Sequence, residues 1–372
     1  MPSRVKTKPE ALSRAEEAAA KPLRTIGLMS GTSLDGIDAA FVESDGQGIV
    51  IAGPALTVPY PDALRQRLRG VLGGVGPVAE VERALTEAHA EAVKQLITAH
   101  RLDVELIGFH GHTILHRPEQ QRTWQIGDGA LLARLTQIDV VCDFRSADVA
   151  SGGEGAPLVP LFHAGLAATL EKPLAVLNIG GVANVTWLGE REGDVLAFDT
   201  GPGNAMIDDW ALRHTGAPLD RDGALARAGR VDATRLAAFL AHPYFDRPPP
   251  KSLDRDDFAR FTAEGLSPED GAATLTAMTA AAVARATVHF PAPARRWLVT
   301  GGGRHNPTLM ATLADRLAVE VAPVERVGWD GDALEAQAFA YLAVRSRAGL
   351  PLSLPTTTGV KAPMTGGRFF RA

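Results

Sequence analysis

The apolar and polar positions fall into a strand-rich rhythm at the start. Thr25-Ile26-Gly27-Leu28-Met29 is apolar, Ser30 to Gly36 is small and polar, and Ile37 to Val42 is apolar again. This predicts a strand, a glycine-rich turn and a second strand. A turn at Asp45-Gly46 before Ile49-Val50-Ile51 adds a third strand and makes the opening an antiparallel meander. From Val78 to His100 apolar residues recur at three and four (Val81, Leu85, Ala88, Ala92, Leu96), which predicts a helix. Leu102 to Phe109 and Ile138 to Cys142 then read as buried strands.

The same grammar returns later. Leu174 to Ile179, the turn Gly180 to Asn184, Val185 to Leu188 and Val195 to Phe198 repeat the opening, and α/β material follows as far as Trp297 to Thr300. A structural duplication is expected, with a tail over 1–22, an N-terminal α/β domain over 23–155 and a C-terminal α/β domain over 156–372. The final segment is expected to pack back on the first domain. The boundary falls near Ala150 to Pro157, where breakers replace periodicity, and the cleft between the halves is the natural site. Pro248 to Pro250 predicts a stiff exposed segment presenting Lys251 to Asp254.

Composition narrows the function classes. At 372 residues, with 45% hydrophobic and 22% charged, the chain is long and apolar enough for two folded cores. Its net charge of -5, without a basic run, argues against a nucleic-acid partner. The single cysteine, Cys142, permits neither an internal disulfide framework nor a cysteine-only metal site and fits a reducing compartment. Met1 to Lys21 lacks the apolar core of a signal peptide, and no stretch approaches a bilayer span, so a cytoplasmic, non-membrane protein is expected.

Four glycine turns each follow an apolar strand: Gly31 to Gly36, Gly180 to Asn184, Gly201 to Asn204, and Gly301 to Asn306. Such turns expose backbone N–H groups and suit a nucleotide phosphate, although any single one is also explained by positive φ. No lysine follows a glycine, so a Walker A loop is excluded. A dinucleotide fingerprint forced onto Gly74, Gly76 and Ala79 fails because Arg65 to Arg69 before it forms a helix face.

Asp199, at a strand end before Thr200 to Asn204, suits a general base; the alternative is an N-cap for a helix near Ala205 to Leu212. His110, His112 and His116 invite a metal, or else mark a substrate-contacting strand end. Arg145, after Asp143-Phe144, could clamp a carboxylate or phosphate or pair with Asp148. Glu335, on an alanine-rich helix, faces either the cleft or solvent.

These residues carry a resemblance. Gly27-Leu28-Met29-Ser30-Gly31-Thr32-Ser33-Leu34-Asp35-Gly36-Ile37-Asp38, Asn178 to Asn184 and Phe198 to Asn204 closely resemble the anhydro-N-acetylmuramic acid kinases. Asp143-Phe144-Arg145, Gly152 to Pro160 and Gly301 to Asn306 extend the likeness to nearly everything after the tail. The resemblance implies a two-domain actin, sugar kinase and chaperone ATPase fold, a duplicated ribonuclease H-like α/β architecture with ATP in the cleft. It implies hydrolytic opening of 1,6-anhydro-N-acetylmuramic acid with phosphorylation of O6, in cell-wall recycling. Asp199 is then the general base. Gly31, Thr32, Ser33, Leu34, Asp35, Gly36, Ile37 and Asp38 bind ATP, joined by Gly180, Gly181, Asn184, Gly201, Gly203, Asn204, Gly302, Gly303 and Asn306. Mg²⁺ is held by Asp35 through water, and the amino sugar by His110, Arg145 and Glu335, with Arg145 on its lactyl carboxylate. A homodimer is what the family suggests.

Phe109 and His112 stand where the family pattern has Ser and Gln, and Glu154 where it has Gln, which implies an altered sugar side of the pocket. The rival reading within the fold is a nucleotide-gated ATPase without sugar chemistry.

Overall fold

The computed structural model describes residues 21–31, 34–191, 193–253, 257–258 and 260–372. The expected tail and Asp254 lie outside them, apart from Lys21 and Pro22. The opening meander is β1 (Leu23–Ser30), β2 (Gly36–Ser44) and β3 (Val50–Pro59). Helices α1 (Asp62–Arg69) and α2 (Val78–His100) follow, then β4 (Leu106–Arg117), β5 (Arg122–Ile126), α3 (Gly129–Thr136), β6 (Asp139–Cys142), α4 (Ser146–Ala150) and α5 (Pro160–Leu166). The second half begins with β7 (Leu174–Ile179), β8 (Val182–Leu188) and β9 (Val195–Pro202). It continues through α6 (Ala205–Thr215), α7 (Ala224–Ala228), α8 (Ala233–Leu240), α9 (Pro268–Ala286), β10 (Arg296–Thr300), α10 (Pro307–Leu317) and β11 (Glu320–Pro323). The chain then forms α11 (Leu334–Arg347), α12 (Pro355–Thr358) and β12 (Arg368–Phe370).

Two sheets repeat one plan. In the first the order is β12-β6-β4-β1-β2-β3 with β5 on β4; in the second it is β11-β10-β7-β8-β9. In each, three antiparallel strands lead into two parallel ones. The duplication read from the sequence is thus a repeat of both order and direction.

Local signals set the helix starts. Asp128, Ser267 and Asn306 cap α3, α9 and α10, each accepting from a backbone N–H of the first turn. The first core gathers Ile26, Leu28, Leu85, Leu96 and Ile107, and the second Leu177, Val185, Phe198, Trp297 and Val299. A third cluster, around Trp210, Phe239, Phe245 and Phe258, belongs to the segment between β9 and β10.

The halves are not sequential blocks. α11 lies against β1, β2 and β4 of the first sheet, and β12 pairs antiparallel with β6. The close approach of α11 depends on two glycines. A Cβ on Gly27 would stand 1.8 Å from the Ala336 carbonyl oxygen, and one on Gly108 2.0 Å from that of Phe339.

Three local expectations change. The strand expected to end at Phe109 runs on to Arg117, because the His-rich stretch pairs with β5. The strand expected to end at Phe198 runs to Pro202, so Asp199 is inside it. Lys251 is buried and not presented to solvent. Among the described residues no helix is long and apolar enough to cross a membrane.

Candidate active site

The second-half turns converge on Asn204. Its N–H donates to the Gly180 carbonyl (2.7 Å) and its side-chain amide to that of Ile179 (3.1 Å), while the Gly203 N–H donates to Gly181 (2.9 Å). A Cβ on Gly203 would sit 2.3 Å from the Gly180 oxygen, and one on Gly301, where φ is +75°, 2.3 Å from the Asn178 side-chain oxygen. A Cβ on Gly303 would press on Ile179 at 2.5 Å. Gly180, Gly181, Gly203, Gly302, Gly303 and Asn204 therefore form one small-residue cradle at the ends of β7 and β10. Gly201 has another cause, since its Cβ would meet Ala282 of α9 at 2.6 Å. Asn306 caps α10 with its side chain.

Asn178, Asn184 and Asp199 are directly paired across β7, β8 and β9, so they share one face of the second sheet. Asn178 was not singled out in the sequence; its place two residues before Gly180 on a strand aligned with Asn184 was the available signal. Asn204, not Asp199, is the N-cap residue of α6. Asp199 is half-buried and bound on three sides. Its N–H donates to the Lys251 carbonyl (3.0 Å), its Oδ2 accepts from the Leu253 N–H (2.8 Å), and its carbonyl accepts from the Tyr244 hydroxyl.

On the first-half side, Thr32 and Ser33 lie outside the described residues. Leu34 and Ile37 are buried in the core, so only their backbone is available to a ligand. Gly36 is required by β3, because a Cβ there would meet the Val58 oxygen at 2.5 Å. Asp35 is exposed and half-buried Asp38 accepts from Thr57 (2.6 Å). Burial raises the Asp38 pKa, and the charges of Asp332 and Asp35 add to the rise.

The three histidines of β4 go to three different places, partly because Gly111 takes φ +75° between the first two. His110 is buried beside Phe339, with Nδ1 3.0 Å from the Gly111 carbonyl and Nε2 accepting from Arg145 Nε (3.1 Å). These partners fix the neutral form with its proton on Nδ1, and burial together with Arg145 holds the pKa well below the ordinary value. His112 is 3.0 Å from Ser30 Oγ, which accepts from Tyr60, and His116 is 3.0 Å from Thr123 Oγ1. No group of three or more His, Cys, Asp or Glu side chains suited to a metal occurs among the described residues. Phe109 packs on His89 of α2 in the first core and also borders the cavity beside His110, while His112 is buried.

Arg145 also donates to the Gly155 carbonyl (2.7 Å). The alternative pairing with Asp148 is not formed. Asp148 accepts from the Gly155 N–H (2.7 Å), Thr358 (2.6 Å) and Ser353. Burial pushes the Arg145 pKa down to about 10, against the charges of Glu335 and Asp148. Glu335 reaches solvent at the start of α11, and the protein packed around its carboxyl raises its pKa, with Arg145 opposing and Asp38 adding. Glu154, next to Gly155, accepts from Ser252 Oγ (2.7 Å), and Ser252 adjoins Leu253 on Asp199. A continuous path thus joins His110 and Arg145 to Asp199 through 154–155 and 252–253. Glu154 was expected only as a departure on the sugar side of the pocket, and Ser252 was not among the expected site residues. A cavity of about 390 Å³ beside His110 is bordered by Trp124, Gln125, Asp143 and Arg368.

Two copies of one sheet plan, joined by glycine turns, give the duplicated α/β architecture of the actin, sugar kinase and chaperone ATPase fold. Sequence comparison specifies the branch. A family model described as anhydro-N-acetylmuramic acid kinase matches residues 23–372, and the chain belongs to that family. A protein of Paramagnetospirillum magneticum named anhydro-N-acetylmuramic acid kinase is 62% identical over 349 residues, covering 92% of this chain and 98% of its own. Proteins of the same name from Rhodospirillum rubrum and Acidiphilium cryptum are 58% and 59% identical, covering 93% and 94% of this chain and 94% and 98% of theirs.

Proposed function

We propose that the cleft opens 1,6-anhydro-N-acetylmuramic acid with water and phosphorylates O6 at the expense of ATP, giving N-acetylmuramic acid 6-phosphate and ADP. Asp199 takes a proton from the attacking water, and the water oxygen bonds to the anomeric carbon as the bond from that carbon to O6 breaks. The freed O6 attacks the γ-phosphorus, and ADP leaves with the electron pair of the broken P–O bond. The reading rests chiefly on Asp199, a carboxylate anchored through backbone and side chain beside the cradle centred on Asn204.

The cradle lacks Cβ atoms and offers backbone N–H groups, which suits the phosphates of ATP. From the first half, Gly31 and Leu34 to Asp38 bind them as well. The carboxylates of Asp35 and Asp38 give that turn the hard oxygen donors that Mg²⁺ prefers, with Asp35 holding the ion through water. The ion supplies charge neutralisation at the phosphates. Arg145 keeps its charge at neutral pH and binds the lactyl carboxylate, His110 orients Arg145, and Glu335 receives sugar hydroxyls. The halves 23–155 and 156–372, the second lending α11 and β12 to the first, act as the two domains of a cytoplasmic enzyme, active as a homodimer.

The test is ADP release with Mg²⁺ and ATP, with and without the anhydro sugar, alongside mass spectrometry of the sugar. ADP formed only with sugar, and a product heavier by one water and one phosphoryl group, is expected. Sugar-independent ADP release with unaltered sugar would instead indicate the ATPase reading.

A further inference from the structure

Lys251 is a buried cation whose partners are carbonyls, an imidazole and two aromatic rings. Its Nζ donates to the carbonyls of Tyr244 (3.1 Å) and Phe245 (3.4 Å) and lies 3.3 Å from His289 Nε2. It sits 4.6 Å from the centre of the Tyr244 ring and 5.5 Å from that of Phe198, the residue before Asp199. An ammonium in such a cage gains from both ring faces. His289 Nε2 also lies 3.1 Å from the Phe245 carbonyl, so the imidazole and the ammonium share that acceptor.

The cage is connected to Asp199 at both ends. The Lys251 carbonyl accepts the Asp199 N–H, and Leu253, two residues on, binds the Asp199 carboxylate. Tyr244, gripped through its carbonyl and its ring, donates its hydroxyl to the Asp199 carbonyl. We propose that Lys251 is a positioning residue for the phosphotransfer site: its ammonium pins the strap 251–253 and Tyr244 against β9, and so fixes the direction of the Asp199 carboxylate. This rests on the reading of Asp199 as general base.

Burial holds the Lys251 pKa down to about 8. Arg247, beside the turn of Tyr244, and Arg285 of α9 push it the same way, while Asp246 opposes them. His289, also on the cage, is kept below its ordinary value by burial, with the Phe245 carbonyl opposing and Lys251 adding. Tyr244 is raised far above its own by burial and Asp199. Lys251 is therefore the cage group that changes charge just above neutrality, and the strap should loosen as pH rises through about 8.

The experiment measures kcat and the KM for ATP and sugar between pH 6.5 and 9.5 for the wild type, Lys251→Met, Lys251→Arg and Asp199→Asn. Expected are an alkaline fall in wild-type kcat near pH 8 and its absence in Lys251→Arg, which retains activity. A drop of about 10- to 100-fold in kcat for Lys251→Met is expected, with the KM for ATP within about twofold, as for a misdirected catalytic group. Wild-type kcat in Lys251→Met beside an inactive Asp199→Asn would overturn the proposal and leave the role of Asp199 intact. An active Asp199→Asn would overturn both. If Lys251→Met does not fold, a wild-type kcat flat to pH 9.5, or an unshifted limb in Lys251→Arg, rejects the proposal.

Discussion

The two sheets share strand order and direction but differ in how they are completed and in what they present. The second is assembled from continuous chain, 174–323, and its polar row Asn178, Asn184 and Asp199 runs across three adjacent strands. The first borrows α11 and β12 from beyond the second, and its carboxylate beside the turn, Asp38, is on the middle strand of its meander, bonded by Thr57 of the edge strand. Duplication thus fixes where turns and strand ends fall, while the placement of one acidic side chain decides which half carries the base of the proposed reaction.

The largest effect should separate those carboxylates. Asp199→Asn is expected to lower kcat by about 10² to 10⁴, with ATP binding by calorimetry preserved, as for loss of a general base. Asp38→Asn should cost no more than about a tenth of that; equal losses would erase the asymmetry. Next in size is the borrowed helix. Gly108→Ala places a methyl against the Phe339 carbonyl and should cost about 3 kcal/mol of stability. Hydrogen exchange should show the loss in β1 and β4 while β7 to β9 keep their protection. Uniform loss over both sheets would mean that they unfold as one unit.

The smallest effect comes from buried histidines. Burial lowers His89 and His112 of the first half, and His163 beside the second sheet, to about 4 from the ordinary 6.5. The unfolded chain then binds more protons than the native one below pH 6.5. Stability is expected to fall as pH drops from 6.5 towards 4, by about 1 kcal/mol per histidine at pH 5.5. With two of the three in its core, the first half should open before the second in acid; exchange at pH 5.5 against pH 7 checks the order.

Much of this was legible in the chain. The meander, α2 and β7 to β10 follow from apolar runs bounded by glycine turns, and their repetition implied the duplicated fold. What periodicity lacks is the identity of partners. It placed Glu335 on an alanine-rich helix but did not show that the helix crosses to the first sheet, which depends on Gly27 and Gly108. The histidines of β4 looked aligned because alternation assumes regular strand geometry, and Gly111 at φ +75° breaks it. Lys251 read as exposed after three prolines, because a cage formed by Phe198, Tyr244 and His289 leaves no local mark in the sequence. Glu154 stood out only as a departure from the family pattern; its bond to Ser252 places it beside the strap.

The excursion of α11 also has a meaning in time. On a ribosome, β1 to β4 emerge long before residues 334–347, so the apolar face that α11 covers must wait while the entire second sheet is made. The segment 174–323 has all its strands in hand before α11 and β12 are made and can fold first. Nascent chains should therefore mature in reverse order, the later half first, with the earlier half in need of protection by chaperones until its last helix arrives.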